Sequence, residues 1–173
     1  KKNLALINKL IEAKADVNLA QKSGETHLME AIQRKSVALV KMLIKAGAYI
    51  NKTDSDGETA LYVAAYNGNV EIMKLLIAKG ADINQAKKDG QTPLYMAASR
   101  DKTAVLKFLI EAGADANGVD YSRYTALHWA AYKGKTETVK TLLKANGINI
   151  NSTNNAGSTP FDMAAKEGHA EIV

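Results

Sequence analysis

The chain contains no cysteine, only two prolines, and three histidines, His27, His128 and His169, scattered along 173 residues. Without cysteine there is no disulfide framework, no thiolate nucleophile and no zinc ribbon or finger. No two histidines stand at i, i+4, so no histidine-based metal site and no cofactor are expected. Long apolar runs are also missing. Leu75-Leu76-Ile77-Ala78 falls far short of the ~20 residues that a membrane span needs. Lys1-Lys2 ahead of Leu4-Ala5-Leu6-Ile7 faintly resembles a signal peptide, but Asn8-Lys9 interrupts it and no small-residue cleavage site follows. The expectation is a cytoplasmic, intracellular protein without a membrane span. Arginine is scarce: Arg34, Arg100 and Arg123 stand among 23 basic residues, and the net charge is +5. A lysine- and asparagine-rich usage is typical of AT-rich coding, so the charge says little about an anionic partner. The same usage admits a bacterial or parasite protein exported to a host cell.

What the chain does have is a repeat. Thr26, Thr59, Thr92, Thr125 and Thr159 recur at intervals of 33, 33, 33 and 34 residues, and Asn18, Asn51, Asn84, Asn117 and Asn151 do the same. Between these anchors Thr59-Ala60-Leu61-Tyr62-Val63-Ala64-Ala65 aligns with Thr92-Pro93-Leu94-Tyr95-Met96-Ala97-Ala98 and with Thr125-Ala126-Leu127-His128-Trp129-Ala130-Ala131. Each unit reads as turn, helix, turn, helix. The threonines are N-caps, Pro93 and Pro160 sit at the first helical position, and Gly68 and Gly134 fit the left-handed residue that ends the first helix. The small pairs Ala64-Ala65, Ala97-Ala98, Ala130-Ala131 and Ala164-Ala165 let a neighbouring helix approach closely. In the second helix Val70, Met73, Leu76 and Ile77 form one apolar stripe. Such a unit cannot bury its apolar face alone and must stack on its neighbours.

These residues resemble the ankyrin repeat, most clearly in Asp54-Ser55-Asp56-Gly57-Glu58-Thr59-Ala60-Leu61, Lys79-Gly80-Ala81-Asp82-Ile83-Asn84, Thr92-Pro93-Leu94 and Thr125-Ala126-Leu127-His128. The resemblance covers residues 3–173. It implies an all-α solenoid of stacked helix-turn-helix units with projecting hairpin-like loops. The expected division is a partial unit at 1–18, full units at 19–51, 52–84, 85–117 and 118–151, and a truncated unit at 152–173. Both ends thus fall inside a unit, as in a segment of a longer repeat protein.

Several positions depart from the pattern. Lys35 and Asp101 replace the glycine after the first helix, Lys14 and Asn146 the one after the second, and Arg123 the loop glycine. Lysine tolerates positive φ poorly, so a local shift is expected there. His27 stands where Pro93 stands, and Gly147 is one residue extra.

Catalytic signals dissolve on inspection. Gly134-Lys135-Thr136 lacks the leading glycine of a phosphate loop, since that place is Trp129, and it leaves a helix rather than opening one. Gly157-Ser158-Thr159 is not a nucleophile elbow. His128, by its place in the motif, hydrogen-bonds locally and holds a turn. Asp54/Asp56 and Asp162/Glu167 need only solvent. Asn51-Lys52-Thr53 and Asn151-Ser152-Thr153 are glycosylation sequons with no secretory signal beside them. The repeated asparagine reads as a turn residue that organises the next hairpin loop. The resemblance also implies that Asn51, Asn84 and Asn117 occupy a position hydroxylated in some members of the family.

The resemblance implies protein recognition by loop tips and the exposed side of the first helices. The candidate residues are Tyr66, Met96, Arg100, Tyr121, Tyr124, Trp129, Tyr132 and Lys133. The chain has one Trp, seven Tyr and two Phe, yet Tyr121, Tyr124, Trp129 and Tyr132 fall within twelve residues. Trp, Tyr and Arg dominate binding hot spots. A non-catalytic scaffold or adaptor, monomeric and bound to a protein or peptide, is the leading expectation. The alternative is the targeting or regulatory arm of a larger enzyme or channel. Nucleic-acid binding is disfavoured, because Lys and Glu alternate around the units instead of forming a basic stripe.

Overall fold

The computed structural model describes residues 2–173. Its helices are α1 (Lys2–Glu12), α2 (His27–Gln33), α3 (Val37–Lys45), α4 (Ala60–Asn67), α5 (Val70–Ile77), α6 (Pro93–Ser99), α7 (Thr103–Glu111), α8 (Ala126–Tyr132), α9 (Thr136–Leu142) and α10 (Pro160–Lys166). The described residues contain no strand beyond two isolated bridges, Ala20 to Thr26 and Val119 to Thr125, at the necks of two hairpin-like loops. Chain contacts divide the molecule into two bodies that meet in sequence between Asp82 and Ile83.

Local chemistry sets the helix boundaries. Thr26, Thr59, Thr92, Thr125 and Thr159 each accept the backbone N–H three residues on, at 3.1–3.2 Å, and so satisfy one donor that the first turn leaves open. Gly68 ends α4 in the left-handed region at φ 76°. The non-glycine departures keep the same region: Lys14, Lys35, Asp101 and Arg123 have φ between 53° and 62°. No shift away from the left-handed turn occurs at these lysines, contrary to expectation. After α9 the left-handed residue is Gly147 at φ 70°, so the extra residue, and not Asn146, takes the place of the missing glycine.

In the first body, α2 packs beside α4, and α3 beside α5. Leu61, Ile72, Met73 and Leu76 are at most 1% exposed, and complete burial of such side chains contributes about 1.5–3 kcal/mol each. The buried stripe of α5 is therefore Ile72, Met73 and Leu76, with Val70 and Ile77 only half-buried at its edges. In the second body α8 packs against both α6 and α10, and α7 against α9. Leu94, Leu106, Leu109 and Leu142 fill its core. The alanine pairs of α6 and α8 are almost wholly buried, as close helix approach demands.

The repeated asparagines do more than shape a turn. Asn51 Nδ2 donates to Gly80 O at 2.9 Å, while its Oδ1 accepts from Asp82 N–H at 3.0 Å. Asn117 repeats the bridge, donating to Gly147 O at 2.9 Å and accepting from Asn149 N–H at 2.8 Å. Asn18 makes the same pair with Gly47 O and Tyr49 N–H. Each side chain thus ties one unit to the exit turn of the next, beyond the expected part in the next hairpin loop. Substituting Asn117→Ala should lower stability by about 1 kcal/mol, because two hydrogen bonds are replaced by water contacts. Lys107→Ala, at an exposed position of α7, should change it by less than about 0.5 kcal/mol. Thermal melts of the two variants side by side check the difference.

The hairpin loops are stitched together as well. Ser55 N–H donates to Ser23 O at 2.8 Å in the first body, and Tyr121 N–H to Asp89 O at 3.0 Å in the second. At Gly90 an added Cβ would lie 2.8 Å from Asp120 Cα and from Val119 O, so the glycine lets two loops touch through their backbones.

Candidate functional site

Of the residues expected to meet a partner, Tyr124, Trp129 and Tyr132 converge in the second body. They line an open groove of about 520 Å³ between the loop at 118–124, α8, the loop at 152–158 and α10.

The loop is held by one carboxylate. Asp120 Oδ1 accepts the N–H groups of Ser122 and Tyr124, both at 2.9 Å, and so fixes the backbone that carries Tyr124. Its other oxygen accepts the Tyr95 hydroxyl at 3.1 Å. Burial, followed by the neighbouring Asp120 charge, pushes the Tyr95 phenol well above its ordinary pKa and keeps it a neutral donor. Asn154 plays the same part in the next loop, accepting from Ala156 and Ser158 N–H groups at 2.9 and 3.0 Å. The two tips are joined by Asn155, which donates its N–H to Ser122 O at 3.0 Å and its side-chain amide to Tyr121 O at 3.2 Å.

Beneath the loops lies His128, with no exposed surface. Its Nδ1 accepts the Thr125 N–H at 3.2 Å, which leaves the neutral tautomer with Nε2–H donating to Ser158 O at 3.0 Å. Desolvation lowers its pKa and keeps the ring neutral. The histidine therefore holds its own turn, as its position in the motif implies, and also ties α8 to the following loop. Tyr124 rests against it with ring centroids 5.6 Å apart.

Trp129 and Tyr132, three residues apart on α8, present neighbouring rings at 5.9 Å. Lys133 Nζ lies 5.0 Å from the Trp129 ring and 4.7 Å from that of Tyr132. The Trp129 indole N–H is out of contact with solvent and makes no hydrogen bond. A donor in that condition costs about 1–3 kcal/mol.

Other candidates lie elsewhere. Tyr121 stands at a loop tip, 75% exposed. Arg100 is exposed at the C-terminal end of α6. Tyr66 belongs to the first body, 45% exposed, beside Gln33, Glu58 and Asn67. Met96 is only 8% exposed, because α6 is covered on most of its faces.

Reading the sequence also missed part of the groove. Asp162 and Glu167, assigned to solvent, line it together with Asp120, Tyr95 and Lys166. Asp162 Oδ2 accepts the Thr159 N–H and hydroxyl at 2.8 and 2.7 Å, and these bonds hold its carboxyl below the usual range. The alignment of Asp120 with Asp54 and Asn154 at one loop position was the available signal for the first carboxylate. For the other two there was none.

Among the described residues no group of three or more His, Asp or Glu is arranged to hold a metal ion. No described helix is long and apolar enough to cross a membrane. The family model described as ankyrin repeats matches three times, at residues 1–87, 81–154 and 124–173. Comparison with individual curated proteins returns no match.

Proposed function

The chain belongs to the ankyrin-repeat family, whose repeats generally mediate protein–protein interaction, and on that premise we propose that it is a binding module acting without chemistry of its own. Its partner, a protein or peptide, docks in the groove of the second body, against the loop tips and the exposed side of α8 and α10. The observation that supports this reading is the convergence of the half-buried Tyr124, Trp129 and Tyr132 on one groove whose loops are already tied by hydrogen bonds. Asp120, Asn154 and Asn155 hold the loops before any partner arrives, so little ordering entropy is lost on binding. Tyrosine and tryptophan then supply large, stiff contact area. Repeat scaffolds set the shape of such a surface and leave its target to the side chains. A cysteine-free chain suits the reducing interior of a cell.

Replacing Tyr124 and Tyr132 together with alanine should weaken partner binding at least tenfold, which corresponds to about 1.4 kcal/mol. The measurement is the affinity, by calorimetry, for the partner recovered with the full chain. Circular dichroism of the variant reports whether it remains folded. An unchanged affinity rejects the reading.

A further inference from the structure

We infer that the groove receives an arginine side chain from the partner, an inference that rests on the binding role proposed above. The chain as a whole is basic, at +5, but the groove is not. Its charged lining is Asp120, Asp162 and Glu167 against Lys166, with Lys133 as a further cation placed over two of its rings. An acidic cleft on a basic molecule selects a cationic ligand and repels an anionic one.

Two of these carboxylates are held in place. Asp120 is fixed by two backbone N–H groups and the Tyr95 hydroxyl, and Asp162 by the N-cap of α10. Both keep acceptor capacity beyond those bonds, since a carboxylate offers about four lone-pair sites. Fixed acceptors suit a planar, multi-donor guanidinium more than a single ammonium.

Aromatic rings complete the fit. Tyr124 and Trp129 line the same groove as the carboxylates. The chain's own Lys133 already stacks on Trp129 and Tyr132, so rings at this site demonstrably take a cation on a face. An arginine lying flat on a ring can direct its edge to a carboxylate at the same time. A lysine ammonium, a point charge without a flat face or a fixed fork of donors, matches that arrangement less well.

The test is selection of a random twelve-residue peptide library on the immobilised full chain at low salt. Each recovered peptide is then titrated against the wild type, Trp129→Ala and Glu167→Lys. Glu167 is exposed and its side chain supports no hydrogen bond of the fold, so Glu167→Lys keeps the test valid should Trp129→Ala fold poorly. The expected result is a set of peptides sharing arginine at one position. Their binding weakens at least tenfold on Trp129→Ala and about fivefold on Glu167→Lys, and arginine-to-citrulline exchange in the peptide abolishes it. Peptides that depend on Trp129 but share an apolar or acidic anchor overturn the arginine inference and leave the groove as the docking site. Recovery of no peptide, or of peptides indifferent to both substitutions, overturns the inference and the proposed site together.

Discussion

His128→Ala should destabilise the second body by about 3–5 kcal/mol, the largest loss expected from any single side chain near the groove. The ring is fully buried, and its removal strands the buried Thr125 N–H and unpairs the part-buried Ser158 carbonyl. Each stranded group costs about 1–3 kcal/mol, and the void left by the ring adds to the total. Urea denaturation, followed by a signal from the second body, measures the change.

The same residue gives stability a pH dependence. Desolvation depresses the folded-state pKa below the ordinary value of 6.5, so the unfolded chain binds the proton more readily. The contribution is therefore complete above pH 6.5 and is lost as pH falls from there through the folded-state value. His128→Ala should flatten that part of the stability curve. A wild-type curve level from pH 7.5 down to 5, or one unaltered by the substitution, would show that the buried ring does not govern it. Asp101, held below its ordinary 3.8 first by the Thr138 hydroxyl and also by Lys135, acts in a lower and separate window.

Trp129→Ala should produce the largest loss of binding, at least tenfold or about 1.4 kcal/mol. Its effect on folding should be much smaller than that of His128→Ala. Trp129 is only half-buried, and its indole N–H already sits dehydrated without an acceptor. Deleting it forfeits apolar contact but relieves that donor, so the two terms partly cancel. The packed neighbours Ala130 and Ala131 remain to hold α8. Titration of the partner and a melting curve on the same preparation separate the two effects. Equal losses in binding and in stability would place Trp129 in the core instead.

Helix starts and stops were legible in the sequence because they depend on residues three or four apart. A threonine reaches its own first turn, and a glycine serves its own C-terminus. The asparagine bridges were not legible, since Asn117 meets Gly147 and Asn149 only after units stack. The burial of Met96 was not legible for a similar reason. In a seven-residue helix covered on most sides, the 3.6-residue period no longer separates inner from outer positions. Lys14 and Lys35 show the repeat keeping its left-handed turn against local preference, since lysine is ill-suited to positive φ. At the groove, aromatic crowding in one unit was visible as spacing. The carboxylates were not, because Asp120 on one loop meets Asp162 and Glu167, on α10 and at its end, only when successive units stack.

The most direct test of the binding surface uses a photo-crosslinking amino acid placed at one position at a time in the full chain. One copy carries it at Tyr132, on the groove. The other carries it at Lys107, an exposed position on α7. Both are irradiated with the partner bound. The account predicts a covalent adduct from position 132 and none from position 107. An adduct confined to position 107 would contradict it and place recognition on the second helices.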